Sequence, residues 1–345
     1  MKKIINFFFN HSQNDDYENT VKKLYQKILL REPDEIGLKH FTSELRNKKL
    51  TVPELSNLLE NSSEGLSIKR FSHYSDKYWN DIPLVQKYKN RLCTNDENIH
   101  WIDDIKSRFQ EHIPFEKTLV VGCGNGWLER RLIDIGITNN VDAFDISEKY
   151  IAEAKTKKDN RNINYFIDDI NDLQNIGIKK YDAVFNFAIL HHAENIEDAM
   201  QKLASSLKSS GLIFNEEYVG PARNQYDDTH LELMSEVMSS LPEKFRSKYP
   251  LRPPLENFRV EPSEAVRSDL IIPAFGKYFD IIYERNVNGG IAYQILWNNI
   301  ENFHNQQDPE AKKWLEYIIK KDEEQSTEKK VPILFWYVVG KPKSL

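Results

Sequence analysis

A strand–turn–helix pattern between Leu119 and Leu128 carries the clearest chemical signal in this sequence. An apolar run leads into three glycines at alternate positions, Gly122, Gly124 and Gly126, and a helical pattern follows. Glycines in such a turn adopt positive φ and let the backbone come close to a ligand, while the start of the helix offers unpaired N–H groups. The turn therefore predicts a ligand-binding loop.

An acidic residue lies where the next strand is predicted to end. Asp145 follows Gly126 by nineteen positions, and a carboxylate at that place can accept hydrogen bonds from both hydroxyls of a ribose. The dinucleotide fingerprint GxGxxG places its third glycine where Trp127 stands here. The spacing therefore favours a nucleoside cofactor other than a dinucleotide.

Titratable side chains follow the two later strands. His191 and His192 come after the fourth predicted strand, and Glu216 and Glu217 come at the end of the fifth. Doubly wound sheets bind ligands at the carboxyl ends of their strands, and histidine is the usual base near neutral pH. Two readings stay open: one of these groups removes a proton from a substrate, or the histidines begin a helix and the glutamates form ion pairs.

Short apolar strands alternate with helical patterns from about residue 99 onward. This alternation predicts an α/β domain whose mostly parallel sheet is covered by helices on both faces. Two long insertions, 219–276 and 288–331, are predicted to form a lid and the acceptor site. His230 is expected on the surface, and Lys320–Lys330 as a solvated loop. The predicted strands are Thr118–Val121, Val141–Asp145, Asn164–Ile167, Ala183–Phe187, Leu212–Asn215, Phe279–Arg285 and Pro332–Val339.

The first seventy residues show helical periodicity alone. Apolar residues recur at helical spacing from Val21 to Leu29, and Thr51 with Pro53 is typical of a helix start. We therefore expect an all-helical accessory domain over 1–70 and a second domain over 71–345.

Composition excludes several classes of protein. The 345 residues carry a formal net charge of −6 and a mean hydropathy of −0.62, which argue against a nucleic-acid binder and a membrane span. Cys93 and Cys123 are too few for a disulfide framework. The apolar patch in Met1–Phe9 is too broken for a secretory signal, so we expect a cytoplasmic protein.

With these motifs the stretch 71–345 resembles the class I S-adenosylmethionine-dependent methyltransferases. The resemblance implies a Rossmann-like sheet of seven strands with the last one antiparallel, and S-adenosylmethionine as the cofactor. It implies that the turn from Gly122 to Gly126, with Cys123 and Asn125, lies against the methionine portion, and that Asp145 holds the ribose. The remaining implied cofactor contacts are Ile146, Asp169, Ile170, Asn186, Phe187 and Ala188, with Asp168 as a competitor of Asp169 for the adenine.

Asn215–Gln225 resembles bacterial methyltransferases with an Asn-Glu-x-x-Val-Gly-Pro motif, and Ser263–Ser268 fits the same group. The resemblance implies methyl transfer to a hydroxyl of a sugar, a surface-glycan precursor or a related small metabolite, with His191, His192, Glu216 or Glu217 as the catalytic group and no metal. A protein or natural-product methyltransferase and a non-catalytic binding module are the alternatives. Leu24–Phe41 resembles small bacterial helical domains of unassigned function, which implies a protein partner for the accessory domain.

Overall fold

A computed structural model describes residues 17–29, 31–62, 64, 78–247, 249–259, 261–297, 299–305 and 307–344. The predictions made for Met1–Phe9 lie outside these residues. Among the described residues the chain divides into two compact units, one within Met1–Asp76 with Glu256–Pro262 and the other within Lys77–Leu255 with Ser263–Leu345. The domain boundary near residue 70 stays a prediction.

The described residues of the N-terminal unit include the helices α1 (17–29), α2 (Glu35–Arg46) and α3 (Val52–Glu60). Asp34 caps α2 by accepting from the backbone N–H of Gly37, and Thr51 forms a capping box with Glu54 at the start of α3. The apolar faces meet in a small core of Val21, Tyr25, Leu29, Leu45, Leu55 and Leu59.

The larger unit contains one seven-stranded sheet in the order β3-β2-β1-β4-β5-β7-β6. Strands β1 to β5 run parallel, whereas β7 is antiparallel to both β5 and β6. This confirms the predicted α/β class and the antiparallel last strand. The strands are β1 Phe115–Val121, β2 Thr138–Asp145, β3 Ile163–Ile167, β4 Tyr181–Phe187, β5 Leu207–Tyr218, β6 Phe279–Asn286 and β7 Phe335–Pro342.

Helices cover both faces of this sheet and bury two hydrophobic clusters against it. The helices are α4 Pro83–Thr94, α5 Trp101–Arg108, α6 Trp127–Asp134, α7 Glu148–Lys157, α8 Ile196–Ser206, α9 Asp228–Ser240, α10 Ile271–Tyr278, α11 Ala292–Trp297, α12 Ile300–Phe303 and α13 Pro309–Thr327. No helix in the described part of the chain is both long and apolar enough to cross a bilayer.

The charged run at Lys320–Lys330 is not a solvated loop, because α13 extends through it to Thr327. Asp322 lies fully buried on this helix. Its carboxylate accepts from the N–H groups of Gly289, Ile291 and Ala292 and from the Tyr88 hydroxyl. The charged residues of this run belong to an amphipathic helix that the sequence analysis did not predict. Its buried acid, Asp322, holds the turn from Gly289 to Ala292 by hydrogen bonds.

His230 is not a surface residue either. It lies on α9 with an exposed fraction of 2%, its ring packs on Tyr226, and its Nε2 bonds the carbonyl of Gly290. Burial lowers the pKa of His230. His230 is buried because the insertion 219–276 packs against the turn at Gly290.

Candidate functional site

The turn after β1 contains one glycine with open space beside it, Gly124, and one that is closely packed, Gly126. Gly124 has φ of +51°, and a Cβ placed on it would meet nothing within 4 Å. Gly126 has φ of +80°, and its Cβ would lie 2.4 Å from the Tyr165 hydroxyl oxygen on β3. Gly126 thus lets α6 pack on the sheet, while Gly124 leaves room for a ligand to approach the backbone.

Asp145 sits beside this turn at the end of β2. One carboxylate oxygen accepts from the N–H of Gly124 at 2.9 Å, and the other accepts from the N–H of Ser147 at 2.8 Å. The next side chain, Ile146, is 50% exposed, and Trp127 on the other side of the turn is 40% exposed. A carboxylate flanked by exposed apolar groups suits a nucleoside, whose ribose is polar and whose base is apolar.

The two acidic residues that follow β3 differ in burial and in their hydrogen bonds. Asp168 is buried, and its oxygens accept from the backbone N–H groups of Asp169, Gln174 and Asn175. Asp169 is only half-buried and bonds Asn171 locally. Asp168 therefore serves to shape this loop, and Asp169 is the more accessible of the two, with Ile170 buried behind it.

The end of β4 forms the next wall. Asn186 is fully buried, and its amide donates to Asn215 Oδ1 at 2.7 Å and to Glu217 Oε2 at 2.9 Å. Phe187 stacks on Trp101 and meets Trp127 edge to face. These contacts place the ends of β1 and β4 next to each other, at the point where the strand order reverses and such sheets bind ligands.

A histidine–carboxylate pair lies beyond β4. His191 Nδ1 is 2.6 Å from Glu217 Oε1, and both side chains are buried. Glu217 also accepts from the N–H groups of Leu190 and Tyr218, both at 2.7 Å, in addition to the Asn186 amide. Because an ionised carboxylate only accepts, Nδ1 donates, and the lone pair of His191 resides on Nε2.

Glu216 faces the opposite side of β5, as the alternation of side chains along a strand requires. Its carboxylate is paired with Lys89 on α4 at 2.8 Å, and their side chains are 2% and 11% exposed. The Lys89 ammonium also lies over the rings of Trp79 and Phe335. The two adjacent glutamates thus have different environments, since Glu216 forms an ion pair with Lys89 and Glu217 forms a hydrogen bond with His191.

Two groups of this region were not found by sequence reasoning. Glu264 places its Oε2 at 3.8 Å from His191 Nε2 and 3.9 Å from His192 Nε2. Ser263 bonds His192 Nδ1 through its hydroxyl at 3.1 Å. The Ser263–Ser268 motif marked this segment as notable, but nothing in the sequence locates it beside histidines more than seventy positions earlier.

Glu129 is a buried carboxyl just behind the glycine turn. It is fully buried on α6, and neither of its oxygens has a hydrogen-bond partner in the described part of the chain. Burial raises the pKa of Glu129 to about 7. Burial also raises the pKa of the neighbouring Cys123 thiol, so this cysteine is not an activated nucleophile.

The raised pKa of Glu129 gives a pH-dependent stability. Between the ordinary value of 4.5 and about 7, the unfolded chain loses this proton before the folded chain does, so stability falls as pH rises through that range. We expect Glu129→Gln to be more stable than wild type above pH 7, by on the order of 3 kcal/mol, and to differ from it by less than about 1 kcal/mol at pH 5. Urea unfolding at both pH values measures this, and a difference independent of pH would contradict it.

A cleft of about 310 Å³ lies next to the aromatic residues of the turn. Amides and an indole line most of it, and Lys89 and Phe187 line an adjoining smaller hollow. Amide groups donate and accept, which suits hydroxyl-bearing ligands. The lining residues of the cleft are Gln86, Asn90, Asn98, His100, Trp127 and Arg131.

Comparison with known proteins adds a sequence match to this geometry. A family described as "Methyltransferase domain" matches residues 119–215, which run from within β1 into β5. By this match, residues 119–215 are similar to a methyltransferase domain, as the resemblance to class I S-adenosylmethionine-dependent methyltransferases implies. The cofactor of that class is S-adenosylmethionine, and the open Gly124, the Asp145 carboxylate and the exposed Ile146 fit its amino-acid, ribose and adenine portions.

Curated relatives of this methyltransferase domain are named as O-methyltransferases. One is a "Ubiquinone biosynthesis O-methyltransferase" of Rickettsia bellii, 29% identical over 42% of this chain and 58% of that protein. Another is a "Malonyl-[acyl-carrier protein] O-methyltransferase 2" of Ilyobacter polytropus, 30% identical over 36% of this chain and 45% of that protein. The chain thus spans about half the length of the curated relatives it matches.

Among solved structures, an S-adenosylmethionine-dependent methyltransferase from Mesorhizobium loti is similar at 14% identity and a TM-score of 0.40. The match covers 69% of this chain and 97% of that one.

Proposed function

We propose that this chain transfers the methyl group of S-adenosylmethionine to an oxygen of a small hydroxylated acceptor. The observation that carries the proposal is the buried His191–Glu217 pair, with its Nδ1 contact of 2.6 Å, at the strand edge that also holds the glycine turn. The pair lies in this edge because β4 and β5 are neighbours and both run parallel to β1. A binding module has no need for a histidine held in this way.

The cofactor would be held by the edge formed by β1, β2, β3 and β4. Its amino-acid end would lie over the turn at Gly124, and Asp145 would accept from the ribose hydroxyls. Ile146, Asp169 and Ile170 would surround the adenine. The other residues proposed to contact it are Gly122, Cys123, Asn125, Gly126, Asn186, Phe187 and Ala188.

The acceptor is proposed to be a sugar, a glycan precursor or a metabolite of similar polarity. The amide-rich cleft beside Trp127 supports a hydroxylated ligand, because side-chain amides match both the donor and acceptor sides of a hydroxyl group. The relatives' names support oxygen as the methylated atom. Neither relative's own acceptor is carried over, since each match covers part of the protein.

Bound S-adenosylmethionine supplies an electrophilic methyl group on a positively charged sulfur. Transfer would join that carbon to the acceptor oxygen and would leave the electron pair of the broken carbon–sulfur bond on the sulfur. In this proposal Nε2 of His191 takes the hydroxyl proton, and Glu217 stabilises the imidazolium that results. Glu216 is not the base, because Lys89 occupies its carboxylate.

Replacement of Asp145 tests the cofactor half of the proposal. We expect Asp145→Ala to weaken S-adenosylmethionine binding by about 1.5–3 kcal/mol, roughly 10- to 150-fold, because charge-assisted hydrogen bonds to the ribose are lost. Calorimetric titration with S-adenosylmethionine and with S-adenosylhomocysteine measures this. Asp134→Ala, an exposed acid on α6 paired with Arg161, is the matched control with wild-type affinity.

Folded wild-type protein that binds neither ligand would overturn the proposal. So would an Asp145→Ala variant whose affinity equals that of the control. For the transfer step, release of S-adenosylhomocysteine is measured with a panel of sugars and sugar phosphates, and release above the acceptor-free rate is the expected result.

A further inference from the structure

The side chains of His191, His192 and Glu264 converge on one point outside the edge of the sheet. All three offer a ligand atom, and these atoms lie within 4.8 Å of one another. His191 Nε2 and His192 Nε2 are 3.8 Å and 3.9 Å from the same oxygen of Glu264. These separations exceed a hydrogen bond but lie within ion-pair distance, so three groups that can each ligate a cation are held close together.

In both imidazoles, the nitrogen that does not face Glu264 forms a hydrogen bond. Nδ1 of His191 bonds Glu217 at 2.6 Å, and Nδ1 of His192 bonds Ser263 at 3.1 Å. The carboxylate of Glu217 accepts from Nδ1 of His191, and the Ser263 hydroxyl can accept from Nδ1 of His192; in that tautomer each ring presents the lone pair of Nε2, the atom turned toward Glu264. Two lone pairs and a carboxylate oxygen therefore converge, an arrangement that a cation between them stabilises.

The segment that carries Glu264 is fixed to the histidine turn by its own backbone. Val266 donates its N–H to the carbonyl of His191 at 3.1 Å. Arg223 donates its guanidinium to the carbonyl of Glu264 at 2.9 Å and its N–H to that of Ala265 at 2.7 Å. These contacts hold the backbone of Glu264 beside the histidine turn.

We propose that His191, His192 and Glu264 form a binding site for a divalent transition-metal ion of the zinc class. Two imidazole nitrogens and one carboxylate oxygen suit this class, and Glu217 behind His191 is the carboxylate that such metal-bound histidines commonly have. At usual bond lengths the ligand atoms of a tetrahedral ion lie about 3.3 Å apart, so separations that start at 3.8 Å and reach up to 4.8 Å must shorten by roughly 0.5 to 1.5 Å to complete the site. The proposal departs from the expectation of no metal and does not depend on methyl transfer, and an ion bound to Nε2 of His191 would occupy the lone pair that the base role uses, so the metal-bound protein is expected not to transfer methyl groups through His191.

The exposed fractions of the three side chains are consistent with access of an ion to this site. The side chains of His191 and His192 are 9% and 13% exposed, and that of Glu264 is 27% exposed. An ion can therefore enter past Glu264 and keep a fourth position open to water or to a ligand oxygen. A proton and the ion compete for the same nitrogen lone pairs, so the affinity for metal falls as the pH is lowered.

Calorimetric titration of the chelator-treated full chain with Zn²⁺ tests the site, and the absorption spectrum of the Co²⁺-loaded protein reports its geometry. We expect one Zn²⁺ per chain, a tetrahedral Co²⁺ spectrum, and no comparable binding of Mg²⁺, which prefers oxygen ligands. His192→Ala and Glu264→Gln should each bind Zn²⁺ at least about tenfold more weakly. His112→Ala is the matched control, because His112 also faces a glutamate, Glu111, at 3.5 Å but lies outside the cluster.

The proposal is overturned if wild-type protein binds no stoichiometric Zn²⁺, or if both cluster variants bind it as tightly as His112→Ala does. Thermal unfolding of each variant shows whether it is folded under the titration conditions. S-adenosylmethionine titration of the metal-free protein separates the two proposals. Zn²⁺ binding without cofactor binding removes the proposed function alone, and the reverse removes the metal site alone.

Discussion

Glu217→Ala is expected to lower the free energy of unfolding of the larger unit by about 3–5 kcal/mol. The carboxylate has an exposed fraction of 0% and accepts from the Asn186 amide, the backbone of Leu190 and Tyr218, and His191 Nδ1. Alanine leaves these donors in a space closed to water. Buried donors without a partner cost about 1–3 kcal/mol each, and only part of this is offset by removing a buried charge.

Urea unfolding followed by tryptophan fluorescence measures the loss, with the midpoint and the slope analysed separately because the chain has two units. Glu153→Ala is the matched control. Glu153 lies on α7 and pairs with Lys157 one turn later near the surface, so its removal should cost no more than about 0.5 kcal/mol. A loss below about 1 kcal/mol for Glu217→Ala would mean that its partners find other acceptors.

Glu217→Gln separates the acceptor role from the charge. The amide keeps one oxygen but turns an N–H₂ group toward a site that already holds only donors. We therefore expect it to be less stable than wild type, though less damaged than the alanine variant. If glutamine matched wild type, one of the carboxylate oxygens would have no essential partner.

The sheet and the cofactor edge could be predicted from the sequence because their signals are local. Apolar runs alternating with helical patterns gave the α/β class, and the glycine turn with Asp145 marked the first two strand ends. The boundaries differ where packing decides them: β5 begins at Leu207 and β7 at Phe335, whereas Leu212 and Pro332 were expected. Extended backbone continues beyond the apolar core of a strand where a neighbour pairs with it, as Tyr181 does with Leu207, and Pro332 precedes the part of β7 that pairs.

The chemistry of the acidic residues could not be predicted, because distant segments determine it. Alternation requires Glu216 and Glu217 to face opposite sides, but it does not reveal that Lys89 lies on one side and His191 on the other. Glu264 reaches the histidines through a loop held by Arg223, and no periodicity encodes such a contact. Asp322 was hidden for the same reason, since its partners are Tyr88 on α4 and backbone groups at the far end of its own insertion.

His191→Ala is expected to lower the rate of methyl transfer by about 10²- to 10⁴-fold while leaving cofactor binding unchanged. The expectation rests on the proposal that Nε2 takes the acceptor's proton and on the Glu217 contact that turns Nε2 outward. Loss of the imidazole removes the base but none of the residues proposed to hold S-adenosylmethionine. His112→Ala is the matched control and should retain the wild-type rate. His112 lies before β1 and pairs with a glutamate there.

Release of S-adenosylhomocysteine is measured at saturating cofactor with the acceptor that gives the highest wild-type rate, and the binding of S-adenosylmethionine is titrated separately. Added imidazole should restore part of the rate in His191→Ala, because a free base can enter the space left by the side chain. A purely structural role predicts no such rescue. The assignment to His191 fails if the variant turns over as fast as the control. If both rate and cofactor affinity collapse together without rescue, His191 is a structural residue of the turn after β4, and the proton leaves by another route.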